Sequence, residues 1–194
     1  MLNNICVFCG SNSGFLPQYR QQAEEMGRFL AFNGKTLVYG GGNVGLMGVI
    51  ADEVLKHNGK VIGVIPDFLM KKEVGHTGLT ELVIVQTMHE RKQRMSQLAD
   101  AFIMLPGGIG TLEEFFEVFT WGQLGLHAKP IGILNTEGYY EHLLAFLNHA
   151  VAHRFLSPHN QSMMMTDTTC TGLFTKLNSY TAPQTEKWLE NSKT

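Results

Sequence analysis

Pro106-Gly107-Gly108-Ile109-Gly110-Thr111-Leu112-Glu113-Glu114 receives the chain from an apolar run, Ala101 to Leu105, and passes it into a segment of helical period. That is the geometry of a phosphate cradle. Glycines let a backbone approach a ligand closely, and the first N–H groups of the new helix have no intrahelical partner and carry the positive end of its dipole. Thr111 adds a hydroxyl that can donate to a phosphate. Glu113 and Glu114 follow within one turn, too close to an anion site to serve the anion itself. A carboxylate so placed suits the sugar or a water beside it. The pattern implies a nucleotide whose non-phosphate end undergoes chemistry. A glycine turn ahead of a helix is also ordinary α/β structure, so the motif needs support from the rest of the chain.

Support comes from Met88-His89-Glu90-Arg91-Lys92-Gln93-Arg94-Met95. Met88, Met95, Leu98 and Ala99 mark the apolar stripe of a helix, and Arg91 falls inside it. A guanidinium facing a core is costly unless an anion meets it, so a phosphate or a carboxylate partner is expected, an internal ion pair being the purely structural version. Lys92 borders the stripe and Arg94 lies off it. In the helix after the glycine turn, Leu112, Phe115, Phe116 and Phe119 form the core face, with Thr111, Glu114 and Glu117 three apart on another side.

These residues need a scaffold. Strands are expected at 4–9, 35–39, 60–65, 81–86, 101–105, 130–134 and 161–165. Helices are expected at 17–33, 45–58, 88–99, 110–124, 138–154 and 169–178. Nearly unbroken apolar strands such as Ala101 to Leu105 are covered on both faces. The fold class is therefore α/β, a doubly wound, mostly parallel sheet forming one Rossmann-like domain over 1–182, with a polar tail at 183–194. In such sheets ligands sit at the carboxyl ends of strands near a topological switch point. Three glycine loops qualify: Gly10 to Gly14, Gly40 to Gly45, and Pro106 to Thr111. The connection 66–80 is long enough to close over a site.

Other chemistries fit less well. Gly40 to Gly45 matches G-x-G-x-x-G, and Asp67 follows roughly 20 residues on, which invites a dinucleotide reading. Yet the match comes after the second strand rather than the first. No glycine loop ends in Gly-Lys-Ser or Gly-Lys-Thr, so a P-loop is excluded, and no G-x-S-x-G elbow supports a serine nucleophile. Cys6 and Cys9 form C-x-x-C, but positions three apart on a strand face opposite sides, and no second pair completes a zinc site. His142, His149 and His153 share a helix face without a third ligand, so no metal is assigned. With 44% hydrophobic and 16% charged residues and a net charge of −2, the 194-residue chain suits one compact domain without general attraction to nucleic acid or membrane. A strand-like start and the lack of a long apolar run point to the cytoplasm.

Together these motifs resemble the LOG family, the cytokinin riboside 5′-monophosphate phosphoribohydrolases once labelled lysine decarboxylases. The family pattern P-G-G-x-G-T-x-x-E is met by Pro106 through Glu114 and Met-His-x-Arg-Lys by Met88 through Lys92. Thr120 through Gly125 meets the downstream run toward Gln-Leu-Gly, and Cys9-Gly10-Ser11 and Gly40-Gly41-Gly42 stand in family-like places. The resemblance implies that Arg91 and Glu114 are catalytic. It implies that Glu73, Lys92, Gly107, Gly108, Ile109, Gly110, Thr111 and Thr120 contact a nucleoside monophosphate, cytokinin-type or AMP. It implies hydrolysis of the N-glycosidic bond without metal or organic cofactor, as in an AMP nucleosidase or in cytokinin biosynthesis, by a homodimer. Asn12, and the stretch His76 to Thr80, depart from the family pattern. A nucleotide carrier with the same cradle and no turnover, and a dehydrogenase, are the competing readings.

Overall fold

In chain order, a computed structural model describing residues 2–70 and 75–182 contains β1 (Asn4–Phe8), α1 (Pro17–Phe32), β2 (Thr36–Tyr39), α2 (Gly45–Lys56) and β3 (Lys60–Pro66). Next come α3 (Asp67–Met70), β4 (Glu81–Val85), α4 (Met88–Leu98), β5 (Ala101–Met104), α5 (Ile109–Gln123) and β6 (Ile131–Leu134). The last elements are α6 (Glu141–Ala152), α7 (Pro158–Ser162), β7 (Met164–Asp167) and α8 (Cys170–Ser179). The seven strands pair in parallel in the order β4-β3-β2-β1-β5-β6-β7. The class is doubly wound α/β. The order reverses between β1 and β5, which makes their carboxyl ends the switch point.

Alternation along the central strands divides the core between the sheet's faces. Ile5, Val7 and Cys9 of β1 and its exit join Ala101 and Ile103 of β5 beneath α1, α2 and α8. Cys6, Phe8, Phe102 and Met104 pack on the other face, beneath α4 and α5. Cys6 and Cys9 thus lie on opposite faces, and all three cysteines are buried free thiols. The edge strand β4 is only partly covered, with Ile84 53% exposed.

Several boundaries differ from the sequence reading. The helix expected from 138 begins at Glu141, because Glu137 and Gly138 adopt left-handed backbone angles (φ 51° and 68°) that no helix tolerates. The last strand is Met164–Asp167 rather than 161–165, since Ser157 caps a short helix by accepting from the Asn160 N–H at 3.0 Å. The 66–80 connection opens with α3, and the tail at 183–194 lies outside the described residues. Among the described residues no helix is long and apolar enough to cross a membrane.

The switch-point loops are tied to one another. Gly10 N–H donates to the Pro106 carbonyl at 3.0 Å, and Leu46 N–H donates to the Gly10 carbonyl at 3.0 Å. Gly45 has φ +56°, and a Cβ there would lie 2.2 Å from the Ser11 carbonyl carbon; Gly34 has φ +62° but open space around it. Gly34→Ala therefore carries only backbone strain, about 1 kcal/mol and ~2–4 °C in Tm. Gly45→Ala adds steric overlap between two loops of the site and is expected to cost at least twice that. Thermal melts of both variants check this; equal losses would show that the two loops are not tightly packed.

Candidate active site

The turn after β5 is shaped by what cannot fit. A Cβ on Gly107 would sit 2.2 Å from Thr111 Oγ1 and 2.9 Å from Gly10 N. Gly108 is the extended N-cap of α5 (φ −93°, ψ −155°) and supplies no side-chain cap, so the first N–H groups of the helix stay open. Gly108 and Gly110 face open space, and Ile109 is 82% exposed. Thr111 is buried, its hydroxyl tucked beneath Gly107. A cleft of about 240 Å³ lies between this turn and the β1 loop, lined by Ser11, Asn12, Tyr19, Gly107, Gly108 and Tyr139 among others.

Arg91 and Glu114 meet on the α4/α5 side of the turn. Arg91 is fixed by a cap: Thr87 Oγ1 accepts from Glu90 N–H at 3.1 Å, and Glu90 Oε2 accepts from Gln86 N–H at 2.7 Å, which starts α4 one turn ahead of the guanidinium. Arg91 Nε donates to the Val64 carbonyl at 3.2 Å, and Nη1 lies 3.2 Å from Glu114 Oε1. The two side chains are 10% and 12% exposed. Nη2 occupies the space where a Cβ of Gly40 would stand, 1.8 Å away. Burial pushes the Glu114 carboxyl up from the ordinary carboxylate range; Arg91 pulls it down, and Glu113 adds to the rise. Met88, expected in the buried stripe, stays at the surface, with its sulfur 3.9 Å from Arg91 Nη1.

Lys92, expected to contact the nucleotide, has two partners within the protein. Its buried ammonium donates to Glu113 Oε1 at 2.5 Å and Glu117 Oε1 at 3.2 Å. Burial alone would depress its pKa, but the two carboxylates more than offset that and hold it above the ordinary lysine value. Two carboxylates one turn apart on α5 face the middle of α4, and Lys92 is the charge between them. Its ammonium is therefore committed to joining the two helices.

The other expected residues are distributed unevenly. Thr120 is exposed and donates to the Phe116 carbonyl of its own helix at 2.7 Å, about 14 Å along α5 from Thr111. Glu73 lies outside the described residues. The Gly40–Gly45 match to a dinucleotide fingerprint serves internal packing instead, Gly40 against Arg91 and Gly45 against Ser11. Beside it, His76 N–H donates to the Gly41 carbonyl at 2.9 Å, and His76 Nε2 lies 2.9 Å from Asp52 Oδ1, which pins the end of the β3–β4 connection to this loop. The rings of His149 and His153 lie against each other with centroids 4.1 Å apart, tilted by 46°.

Two residues escaped the sequence reading. Tyr139 Oη donates to the Gly107 carbonyl at 2.8 Å and Tyr140 Oη to the Leu105 carbonyl at 2.7 Å. The left-handed turn at Glu137 and Gly138 that presents them was hidden within an apparently helical segment.

Comparison with known proteins adds the lineage. Residues 47–177 match a family model described as possible lysine decarboxylase. The chain is 49% identical over 176 residues to a probable cytokinin riboside 5′-monophosphate phosphoribohydrolase of Oryza sativa subsp. japonica, covering 91% of this chain and 78% of that protein. It is 47% identical over 183 residues to the enzyme of that name from Arabidopsis thaliana, covering 94% and 85%. It is 50% identical over 163 residues to the one from Rhodococcoides fascians, covering 84% and 82%. Among solved structures it shares its fold with the molybdenum cofactor carrier protein of Chlamydomonas reinhardtii (TM-score 0.63, 17% identity, 86% of this chain and 89% of that one). The molybdenum cofactor binding protein of Rippkaea orientalis is similar in the same sense (TM-score 0.61, 23% identity, 77% and 86%). With two thirds of its length inside the family model and close relatives along nearly all of it, the chain belongs to the LOG family, the group formerly described as possible lysine decarboxylases.

Proposed function

We propose that this protein hydrolyses the N-glycosidic bond of purine nucleoside 5′-monophosphates, cytokinin-type nucleotides and AMP, to free base and ribose 5-phosphate. One observation carries the reading: a buried carboxylate, Glu114, is paired with Arg91 one turn inside a helix whose N-terminal N–H groups are open to an anion. Rupture of the bond builds positive charge on the ribose as the base departs. Glu114 stabilises that charge and directs water to the anomeric carbon. Arg91 holds its proton too tightly to act as a general acid, so it clamps and orients the carboxylate. Gly107, Gly108, Ile109, Gly110 and Thr111 receive the phosphate, which supplies binding energy remote from the bond broken.

Glu73 and Thr120 are the further substrate contacts in this reading. Thr120, several turns along α5 from Thr111, is assigned to the end of the substrate remote from the phosphate, and the protein is assigned as a homodimer. The lysine-decarboxylase description fits poorly, because a Schiff base to pyridoxal phosphate needs an available lysine and Lys92 is held between two carboxylates. A carrier without turnover is the other reading. It gives no reason to bury a carboxylate against an arginine beside the anion site, which is why hydrolysis is preferred.

Incubation with AMP, isopentenyladenosine 5′-monophosphate and the matching nucleosides, followed by chromatography of free base, tests the reading. Base release from the monophosphates is expected, with kcat/KM roughly 1000-fold lower for the nucleosides, about 4 kcal/mol from two or three charge-assisted hydrogen bonds. Binding without base release would favour the carrier. The carboxyl resonance of Glu114 in the free protein supplies a pH test. Because burial raises its pKa against the pull of Arg91, half-protonation is expected above the ordinary carboxylate range, and higher still in Arg91→Met. A midpoint at or below that range, or one that falls in Arg91→Met, would contradict the pairing.

A further inference from the structure

The Pro106–Gly108 turn can hold an anion only if its carbonyls face away from it. Glycine makes this uncertain, since a peptide flanked by two glycines turns over at little steric cost and would then offer an oxygen to the phosphate. In this chain four consecutive carbonyls each have a donor. Leu105 O accepts from Tyr140 Oη at 2.7 Å, and Pro106 O from Gly10 N–H at 3.0 Å. Gly107 O accepts from Tyr139 Oη at 2.8 Å, and Gly108 O from Leu112 N–H at 3.1 Å. Two of the four bonds are backbone features of the fold. The other two come from adjacent side chains ahead of α6, a separate element that the reading of the catalytic pair does not use.

The placement of those side chains is specified. Glu137, a non-glycine residue in the left-handed region, and Gly138 turn the chain after β6 so that both rings come back toward the cradle. Asn135 Oδ1 accepts from Tyr140 N–H at 2.8 Å and holds the turn. Tyr140 is buried, whereas Tyr139, 42% exposed, stands on the rim of the cleft. Tyr139 is wedged edge-on between Tyr19 (centroids 5.4 Å apart, 77°) and Tyr140 (4.8 Å, 84°), a packing that fixes where its hydroxyl points. A trans peptide carries its C=O and the following N–H on opposite sides. Holding Gly107 O on the tyrosine side therefore aims Gly108 N–H the other way, at the head of the open series that begins α5.

We propose that Tyr139 and Tyr140 are positioning residues for phosphate recognition: their hydroxyls hold the Gly107 and Leu105 carbonyls turned away, so that the first N–H groups of α5 meet the 5′-phosphate unopposed. The inference rests on the phosphoribohydrolase reading and gives it two residues outside the family's motif. It separates phosphate binding from bond cleavage, because neither tyrosine touches Arg91 or Glu114 in the hydrogen bonds and ring contacts they make.

Tyr139→Phe is the test, since it keeps the ring, removes one hydroxyl and lies on the rim rather than in the core. Calorimetric titration with ribose 5-phosphate and, separately, with adenine, on the unaltered protein and the variant, reads phosphate and base recognition apart. Ribose 5-phosphate affinity is expected to fall about tenfold and adenine affinity to stay within about twofold. In turnover of isopentenyladenosine 5′-monophosphate, KM is expected to rise about tenfold with kcat within about twofold. Tyr140→Phe is expected to act in the same direction, with a lower Tm because its partner carbonyl is buried. Unchanged ribose 5-phosphate affinity in Tyr139→Phe, or equal losses for ribose 5-phosphate and adenine, would overturn the proposal. Absence of base release from isopentenyladenosine 5′-monophosphate by the unaltered protein would instead refute the phosphoribohydrolase reading on which the proposal rests.

Discussion

A guanidinium and a carboxylate share a space that one missing side chain leaves open. Arg91 Nη2 fills the position a Cβ on Gly40 would claim, Nε reaches the Val64 carbonyl, and Nη1 lies 3.2 Å from Glu114. Taking either charge from water is expensive, and each is tolerable only because the other is there. The rest of the carboxyl edge follows from that pair. The β2 loop must be glycine where Arg91 enters. α4 must start on its Thr87 cap so that Arg91 points inward, and α5 must begin at Gly108 so that Glu114 falls one turn deeper.

The surrounding charges serve the same end. Lys92 lies between Glu113 and Glu117 and binds α4 to α5, so the helices that carry the pair cannot slide independently. In the proposed reaction, the burial that lifts the Glu114 pKa also makes its carboxylate a stronger electrostatic partner for a cationic ribose, because little water is left to screen it. On the other side of the turn, the carbonyls of Leu105, Pro106 and Gly107 are each held by a donor, and in the proposed account this leaves the first N–H groups of α5 open to the phosphate. In the proposed account one short segment has a phosphate side and a bond-cleaving side, joined through the first turn of α5.

Much of this was legible in the chain. The apolar run from Ala101 to Leu105 revealed a strand covered on both faces, and the stripe through Met95 and Ala99 placed Arg91 against the core, because both patterns are written in nearest-neighbour spacing. The rest needed long-range knowledge. Glu113 and Glu117 of α5 meet Lys92 of α4, and Arg91 and Ser11 fill the space that Gly40 and Gly45 leave, partners that no local spacing names. Tyr139 and Tyr140 were passed over because an apparently helical segment concealed the left-handed Glu137–Gly138 turn. Partners distant in sequence leave no local period to read.

The central claim is that the Glu114 carboxylate performs the cleavage and does not merely brace Arg91. Glu114→Gln keeps the shape and a hydrogen-bonding group while removing the charge, so a single-turnover assay with isopentenyladenosine 5′-monophosphate, beside a direct binding titration, decides the matter. Base release slowed by ~1000-fold with nucleotide affinity within a few-fold of the unaltered protein is the predicted result. Base release at an undiminished rate would contradict the account.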